Sequence, residues 1–402
     1  MTAVRHIPTY MRYAAHYGAF FVVFGAVLPY LPVWLQSRGL SPEAIGIAAG
    51  AGMVGRVIVS PLAARLMDSL GRRRDVMIAI SWASLAAFVA LVPASGTAVL
   101  IALPALALAI NGGQTPLLDA ITIRASVREG FAFGKVRAVG SAAFVVANVG
   151  AGYLVGKFGG EAALVWIIAG SFAALATAYL LPADPVAAGD DHASPTKWRL
   201  RGMLTPALVL ALVSSALVQG AHGFNYGFST LAWRDQGISP EIIGLLWAWA
   251  VLAEIVFLWR SASWLAHWRP ENLIIIGAVA SVTRWGLLSL SPPLWAIFVL
   301  QTLHALTYTA TYLGFIRFAS DYVPDRYAAS AQALSSALSG GVVLASTTAI
   351  SGIMFEQYGA GGFAAMMVPA AAGGALAIWL SVMMRSQSIS KSLKQADERD
   401  RS

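Results

Sequence analysis

Two nearly identical phrases, GLSPEAIG at Gly39–Gly46 and GISPEIIG at Gly237–Gly244, stand 198 residues apart in a chain of 402 residues. Six of their eight positions carry the same residue. Ser, Pro and Glu in this order are typical of a helix start, because Ser caps the first turn, Pro fits the first helical position and Glu lies at the positive end of the helix dipole. One such start is common, but its recurrence at the same place in each half indicates an internal repeat.

The composition predicts a membrane protein. Hydrophobic residues make up 58% of the chain and charged residues 11%, whereas soluble domains carry about 25% charged residues. Apolar stretches of about 20 residues recur from end to end, each long enough to cross the hydrocarbon core as a helix. We therefore expect an all-α membrane protein with twelve transmembrane helices in two pseudo-symmetric six-helix bundles. The predicted spans are 12–36, 43–66, 75–93, 99–124, 136–157, 162–182, 205–231, 241–262, 272–290, 294–318, 328–354 and 361–384.

The chain divides at a polar stretch, Pro182–Gly202, whose Pro, Asp and Gly content is typical of a linker. We expect an N-terminal bundle over 1–183, a cytoplasmic linker over 184–204, a C-terminal bundle over 205–384 and a charged cytoplasmic tail over 385–402. Each repeated phrase then opens the second helix of its bundle. Two parallel six-helix halves related by an axis along the membrane normal are a known arrangement of transporters.

Lys and Arg are concentrated on one side of the predicted topology. Of the 27 Lys and Arg residues, 22 fall on the side that holds both termini. Cytoplasmic flanks of membrane helices are enriched in these residues, so we expect a multi-pass protein of the cell inner membrane with both termini in the cytoplasm. The net charge of +8 is then an orientation signal. It predicts contact with the lipid bilayer and not with nucleic acid.

The segment ARLMDSLGRRR at Ala64–Arg74, between the second and third spans, resembles the cytoplasmic G-x-x-x-D-R-x-G-R-R loop of the major facilitator superfamily. Ala64 and Ser69 replace the usual Gly and Arg. The resemblance implies a conformational loop whose charges hold neighbouring helix ends in one state, while plain positive-inside charge is the alternative. The matching residues are Asp68, Gly71, Arg72 and Arg73.

Longer phrases resemble the phenylpropionate permease branch of that superfamily, which stands near the lactose permease and the nucleoside–proton symporters. The resemblance extends from about residue 17 to about residue 360. The phrases that carry it are LPYLPVWLQSRGLSPEAIG (28–46), GKVRAVGSAAFV (134–145), QGAHGFNYGFS (219–229) and RWGLLSLSPPLWAIFVLQTLH (284–304).

The repeat places opposite charges at equivalent positions inside the membrane. Arg56 lies in the second span, and the residue 198 positions further on is Glu254 in the eighth span. An ionisable side chain at this depth usually faces a partner or a wet cavity, so a structural ion pair is the alternative to a functional role. A partly desolvated carboxylate can load and release a proton near neutral pH, which makes Glu254 a candidate for proton coupling.

Polar residues recur at helical spacing on three spans, whereas the sixth and twelfth spans are nearly all aliphatic or small. We expect the polar stripes to line a cavity and the bland spans to face lipid, with hydrogen bonds between helices as the alternative. The stripes are Asn111, Thr115, Asp119 and Thr122 on the fourth span, Ser215, Gln219, His222, Tyr226 and Ser229 on the seventh, and Gln301, His304, Tyr308 and Thr311 on the tenth.

The lactose permease relative carries a set of charged residues that Asp119, Arg137, Glu254, Arg284 and His304 resemble. The resemblance implies that Asp119, Arg137 and Glu254 contribute to substrate binding, and that Arg284 and His304 belong to proton coupling. An ordinary surface ion pair is the alternative for Asp119 and Arg137. The acidic residue that follows the His by one turn in the relative is Thr307 here, so that carboxylate is not available.

Together these patterns predict a secondary active transporter, not an enzyme, that uses alternating access for proton-coupled uptake of a small organic solute such as an aromatic carboxylate. We expect a monomer that binds a small molecule and protons, with the proton gradient in place of any cofactor. A sugar or nucleoside symporter or an efflux pump is the alternative. A membrane sensor or embedded enzyme is disfavoured, because the chain lacks a nucleophile elbow, a Walker loop and any cysteine. The candidate substrate-binding residues are Arg56, Asn111, Asp119, Arg137, Gln219, His222, Tyr226, Trp247, Glu254 and Tyr308; those for proton coupling are Glu254, Arg284 and His304.

Overall fold

The computed structural model describes residues 7–183 and 203–400, and these residues form helices and short connections without a strand. Residues 184–202 of the predicted linker lie outside the described part of the chain. The first half consists of six helices: α1 (Thr9–Ser37), α2 (Pro42–Leu70), α3 (Arg73–Val89), α4 (Thr97–Glu129), α5 (Phe133–Phe158) and α6 (Glu161–Ala178).

The second half is more broken than the first. Its helices are α7 (Pro206–Gly220), α8 (Gly223–Asp235), α9 (Pro240–Trp264), α10 (Pro270–Leu288), α11 (Leu294–Thr302), α12 (Thr311–Tyr322), α13 (Asp325–Ser336), α14 (Leu344–Tyr358) and α15 (Met367–Asp400). The seventh predicted span is therefore two helices that meet at a turn. Two π-helical segments, Ala305–Ala310 and Ala337–Val343, interrupt the tenth and eleventh predicted spans. Such segments are rare and occur often at functional sites.

Nine helical stretches among the described residues are long and apolar enough to cross a membrane. The third predicted span forms a shorter helix of 17 residues, and the tenth is divided by its π-helical segment. The helix α15 runs on through the predicted tail to Asp400.

The repeated phrases begin helices as predicted. In the first copy, Ser41 caps α2 by accepting a hydrogen bond of 3.3 Å from the backbone of Ala44. The first glycine of each copy, Gly39 and Gly237, has a φ of +81° and +80°, a left-handed conformation that favours glycine. We call the end of the molecule that carries these loops the repeat end, and the end that carries residues 71–72 and 130–132 the basic end.

The last glycine of each phrase lies where the two halves meet. A Cβ atom on Gly46 of α2 would lie 3.0 Å from the carbonyl oxygen of Thr348 on α14. A Cβ atom on Gly244 of α9 would collide with the carbonyl oxygen of Asn148 on α5. We call these two contacts the repeat-end seal. They explain why both copies end in glycine, and they show that the structure is closed at the repeat end.

Small residues also let the second and eleventh predicted spans pack closely. A Cβ atom on Gly50 would lie 2.7 Å from the carbonyl oxygen of Ala345, one turn below the Gly46 contact. Gly341, in the second π-helical segment, lies against Val57 near the middle of α2. Close backbone approach of this kind permits two bundles to slide against each other.

Candidate functional site

Three side chains in the second half form a hydrogen-bonded chain. Glu254 lies on α9, Arg284 lies on α10, and His304 immediately precedes the first π-helical segment. His304 Nε2 is 2.8 Å from Glu254 Oε1, and His304 Nδ1 is 2.9 Å from Arg284 Nη1. Arg284 is fully buried, whereas 20% of the Glu254 side chain is exposed. The chain therefore runs from a buried cation to an accessible carboxylate.

The hydrogen bonds fix which nitrogen of His304 carries the proton. A guanidinium group can only donate, so His304 Nδ1 accepts from Arg284 Nη1 and is unprotonated. The proton of the neutral imidazole is on Nε2, which donates to Glu254 Oε1. A second proton at Nδ1 would turn the Arg284 contact into two opposed donors. Glu254 can take up a proton on its other oxygen without breaking this chain.

The hydrogen-bond partners of Arg284 among the described residues are neutral. Its Nη2 atom donates to Gln301 Oε1 at 2.5 Å, and its Nη1 atom donates to Thr307 Oγ1 at 3.1 Å. The guanidinium carbon lies 4.6 Å from the centre of the Trp285 ring, a cation–π distance. Gln301 in turn donates to the carbonyl oxygen of Leu246 on α9. Both terminal nitrogens of Arg284 are therefore hydrogen-bonded, whereas its buried Nε atom has no hydrogen-bond partner among the described residues.

His222 connects the seventh predicted span to this shell. Its Nδ1 atom lies 2.8 Å from the carbonyl oxygen of Gln219, which can only accept, so Nδ1 is protonated. In the neutral imidazole Nε2 then accepts, at 2.9 Å, from the hydroxyl group of Thr307. The side chain of Gln219 donates to Ser215 Oγ at 2.9 Å. The stripes predicted on the seventh and tenth spans thus form one cluster, joined through Thr307.

Aromatic rings lie next to the polar cluster. Tyr226 stacks on His222 and on Trp247, with ring centres 5.6 Å and 6.0 Å apart. Tyr308 stacks on His304 at 5.6 Å. Trp247 is buried and donates from Nε1 to Thr230 at 3.1 Å, whereas Tyr226 and Tyr308 are half-buried. The two tyrosines therefore present accessible surface beside the Glu254 chain.

Arg56 reaches from the first half into the second. Its Nη2 atom donates to the carbonyl oxygen of Gly340, in the second π-helical segment, at 2.9 Å. Arg56 and Glu254 both lie near the phenol groups of Tyr226 and Tyr308. The two charged residues at equivalent positions of the repeat therefore lie close to the same pair of tyrosines.

Asp119 and Arg137 form a second cluster, in the first half. Arg137 Nε lies 3.4 Å from Asp119 Oδ1, and about a third of each side chain is exposed. The buried hydroxyl group of Tyr17 donates to the same carboxylate oxygen at 2.5 Å. The Arg137 guanidinium lies 4.4 Å from the centre of the Phe21 ring. This pair is thus built into the contact of α1, α4 and α5, unlike an isolated surface ion pair.

Asn111 lies apart from these clusters. It is 2% exposed, and its Oδ1 atom accepts from Ser84 on α3 at 3.3 Å. Thr122, further along the same stripe, is buried and donates to the backbone of Leu118. The polar stripe on the fourth predicted span therefore points to several neighbours and does not line a single surface.

The loop between α2 and α3 begins at a glycine whose backbone conformation favours glycine. Gly71 ends α2 with a φ of +63°, a conformation in which side chains are strained. Arg72 pairs with Asp75 at 2.6 Å, and both side chains are substantially exposed. Asp68 is exposed, and Arg73 is the first residue of α3. A role for this loop in conformational change stays a prediction.

Sequence patterns missed the residues that hold the charges in place. Gly340 accepts from Arg56 through its backbone, and a backbone carbonyl carries no residue-specific signal. Trp285 and Phe21 each lie against an arginine. The contact of Trp285 with Arg284 could have been predicted, because the two residues are adjacent in the sequence. The contact of Phe21 with Arg137 could not, because Phe21 lies far from Arg137 in the chain.

The chain is similar to known transporters over most of its length. A family profile described as "MFS_1 like family" matches residues 10–365. The "Probable 3-phenylpropionic acid transporter" of Escherichia coli (strain K12) is 29% identical over 360 residues, which cover 89% of this chain and 94% of that protein. The "Maltose permease" of Geobacillus stearothermophilus is 26% identical over 349 residues, which cover 85% of this chain and 86% of that protein.

Solved structures match the fold. The crystal structure of the nucleoside transporter NupG superposes with a TM-score of 0.78 over 94% of this chain and 99% of that chain, at 16% sequence identity. At this identity the likeness concerns the fold alone, and it matches the all-α architecture described above.

Proposed function

The chain belongs to the MFS_1 like family, a group of major facilitator superfamily transporters, and from this premise we propose that it is a proton-coupled secondary active transporter. It takes up a small organic solute such as an aromatic carboxylate, driven by the proton gradient in place of a cofactor, and does not alter it chemically. We place the protein in the inner membrane of the cell with both termini in the cytoplasm, because 22 of the 27 Lys and Arg residues fall on the side of the predicted topology that holds both termini.

The observation that carries the proposal is the hydrogen-bonded chain Glu254–His304–Arg284. An intramembrane carboxylate that is 20% exposed and hydrogen-bonded to a buried imidazole is suited to bind and release a proton. We assign the transported proton to Glu254. His304, whose Nδ1 atom is occupied by Arg284, positions the carboxylate and does not itself carry the proton.

The substrate lies, in this proposal, beside Tyr226 and Tyr308, between Glu254 and Arg56. Rings that are half-buried and stacked on other rings offer flat faces to an aromatic solute. A relative that shares 29% identity over most of both chains is named for 3-phenylpropionic acid. Both facts support an aromatic carboxylate as the substrate class.

Alternating access follows from the closed repeat end. Because Gly46 and Gly244 lie against the opposite halves, we infer that the substrate region communicates in this state with the basic end. Rocking of the two halves would open the repeat-end seal and close the basic end. In this proposal the structure is the inward-facing state of the transport cycle.

A sugar or nucleoside proton symporter is the second candidate. It is supported by the maltose permease relative and by the NupG structure, and aromatic rings also stack on sugars and bases.

Uptake by proteoliposomes under an imposed pH gradient tests the proposal and separates the candidates. The purified protein is reconstituted, and accumulation of labelled 3-phenylpropionate, maltose and uridine is measured with the interior alkaline and again after a protonophore. We expect accumulation of 3-phenylpropionate that the protonophore abolishes. Equal uptake with and without the gradient would contradict proton coupling, and protonophore-sensitive uptake of maltose or uridine alone would favour the second candidate.

A further inference from the structure

Two arginines lie within the membrane-spanning part of the molecule near the proposed substrate region, and they differ in what they can offer a ligand. Arg284 is 0% exposed, and both of its terminal nitrogens donate to neutral side chains. Arg56 is half-buried, and among the described residues its one hydrogen bond is from Nη2 to Gly340. A guanidinium group has five N–H donors, so each arginine has donors left over. Those of the half-buried Arg56 can reach a ligand, whereas those of Arg284, including its unpartnered Nε atom, are enclosed by protein.

The partner of Arg56 belongs to the opposite half of the molecule. Gly340 lies in the π-helical segment Ala337–Val343, and its carbonyl oxygen is a neutral acceptor. The hydrogen bond of 2.9 Å therefore links α2 to the second half near the middle of α2. It lies deeper in the molecule than the repeat-end seal.

Two glycines, which lack a Cβ atom, leave the space that the Arg56 side chain occupies. A Cβ atom on Gly112 of α4 would lie 2.8 Å from Arg56 Cδ, and a Cβ atom on Gly340 would lie 2.6 Å from Arg56 Nη2. Real Cβ atoms do not approach other atoms this closely. The Arg56 side chain therefore passes Gly112 and extends toward Tyr308 and Gly340.

We propose that Arg56 is the specificity-determining residue that recognises the anionic group of a carboxylate substrate, and that the substrate displaces the carbonyl of Gly340 from it. A carboxylate offers a negative charge and two acceptor oxygens that match the guanidinium fork, whereas a peptide carbonyl offers one neutral acceptor. Substrate binding then removes a hydrogen bond between the halves. The inference rests on the proposed function, because it takes the solute to be transported through this region.

This exchange explains how a substrate can promote its own translocation. A link between the halves at mid-depth resists their rocking, and a solute that replaces the link lowers this resistance only when it carries an anion. Neutral analogues of the same shape would enter beside Tyr226 and Tyr308 and leave the Arg56–Gly340 bond in place. Discrimination between an acid and its amide is therefore the property that Arg56 confers.

Binding of matched acids and amides tests the inference. Purified protein is titrated with 3-phenylpropionate, benzoate and cinnamate and with the corresponding neutral amides, by calorimetry. We expect the wild type to bind at least one acid about 10- to 100-fold more tightly than its amide, the range expected for a hydrogen bond to a charged group. We expect Arg56→Gln to bind that acid and its amide equally. Arg65→Gln, an exposed position on the same helix, is the matched control and should behave as the wild type.

Gly340→Ala gives a second, independent measurement that keeps the charge. The added Cβ atom displaces the guanidinium from the Gly340 carbonyl, so the competing acceptor is lost. We expect acids to bind Gly340→Ala more tightly than the wild type, with amide affinity unchanged. This variant decides the question if Arg56→Gln does not fold, as judged by gel filtration.

The outcomes separate this inference from the proposed function. An unchanged acid-to-amide ratio in Arg56→Gln, or unchanged acid affinity in Gly340→Ala, overturns the role of Arg56 whatever the transport results are. Failure of every acid to bind the wild type also overturns it, while proton-driven uptake of maltose or uridine by the same preparation leaves proton-coupled transport standing. Selective binding of acids without any gradient-driven uptake counts against the proposed function and not against Arg56.

Discussion

His304 Nε2 lies 2.8 Å from Glu254 Oε1, and this hydrogen bond joins α9 to the start of the first π-helical segment. Its direction is set from the other side of the ring, where Arg284 donates to Nδ1. The carboxylate is thereby oriented by a neutral imidazole whose second nitrogen is occupied. We therefore expect the replacement of each residue to have a different result.

Replacing Glu254 by Gln should abolish gradient-driven accumulation while exchange of substrate continues. Gln keeps the size of the side chain and an acceptor for His304 but cannot take up a proton. Accumulation under an imposed pH gradient and counterflow without a gradient are measured in proteoliposomes. Glu356→Gln, an exposed glutamate of α14, serves as the control. Accumulation by Glu254→Gln at the wild-type level would refute the assignment of the proton.

Replacing His304 by Gln should slow transport and leave its dependence on the pH gradient intact. A glutamine can accept from Arg284 and donate to Glu254, as the neutral imidazole does, and it does not titrate. His304→Ala removes both hydrogen bonds and should reduce transport further. Initial uptake rates of the two variants are compared as a function of external pH. If His304→Gln lost gradient dependence, the imidazole would itself be part of proton transfer.

Replacing Arg284 by Met should lower the free energy of unfolding by about 1–3 kcal/mol for each buried acceptor that loses its donor. The change leaves buried acceptors on Gln301 and His304 without their donor. Arg56→Met should cost only about 1 kcal/mol, because it removes one hydrogen bond to a neutral carbonyl. Denaturant-induced unfolding in detergent micelles measures both. Equal losses for the two variants would contradict the distinction between a structural and an accessible arginine.

Replacing Gly244 by Val should open the repeat end. The new side chain meets the carbonyl of Asn148, and overpacking of this kind typically costs about 1–3 kcal/mol, enough to change the balance between two conformations. The chain has no cysteine, so cysteines for spin labels can be introduced directly at the exposed positions Gln36 and Asp235.

Double electron–electron resonance should then show a longer label separation in Gly244→Val than in the parent. Gly134→Val is the matched control, since nothing lies within 4 Å of a Cβ atom at that glycine. A separation in Gly244→Val that equals that of the control would indicate that Gly244 does not hold the halves together.

The fold is largely predictable because the features that determine it follow one another along the sequence. Apolar length specifies membrane helices, and the 198-residue offset between Gly39 and Gly237 specifies the duplication. The same offset leads to Arg56 and Glu254, which both lie near Tyr226 and Tyr308 in the structure. The repeat offset therefore identifies these two charged residues from the sequence alone.

The partners of those charges were not predictable, because they depend on breaks in helix geometry. Spacing along an ideal helix gives no indication of the π-helical segments that follow His304 and surround Gly340. The polar stripe on the fourth span likewise gives no indication of how α3 packs against it. In the structure Asn111 is hydrogen-bonded to Ser84 on α3. Which face of a helix meets which neighbour is a property of tertiary packing, and a single sequence does not encode it locally.

The repeat-end seal has a consequence for how the protein tolerates damage. Its closing contact is present in duplicate, at Gly46 and again at Gly244, whereas the chain Glu254–His304–Arg284 exists in a single copy, in the second half. We therefore expect a lesion in the seal to change the balance between conformations without loss of coupling, and a lesion at Glu254 to uncouple the whole cycle.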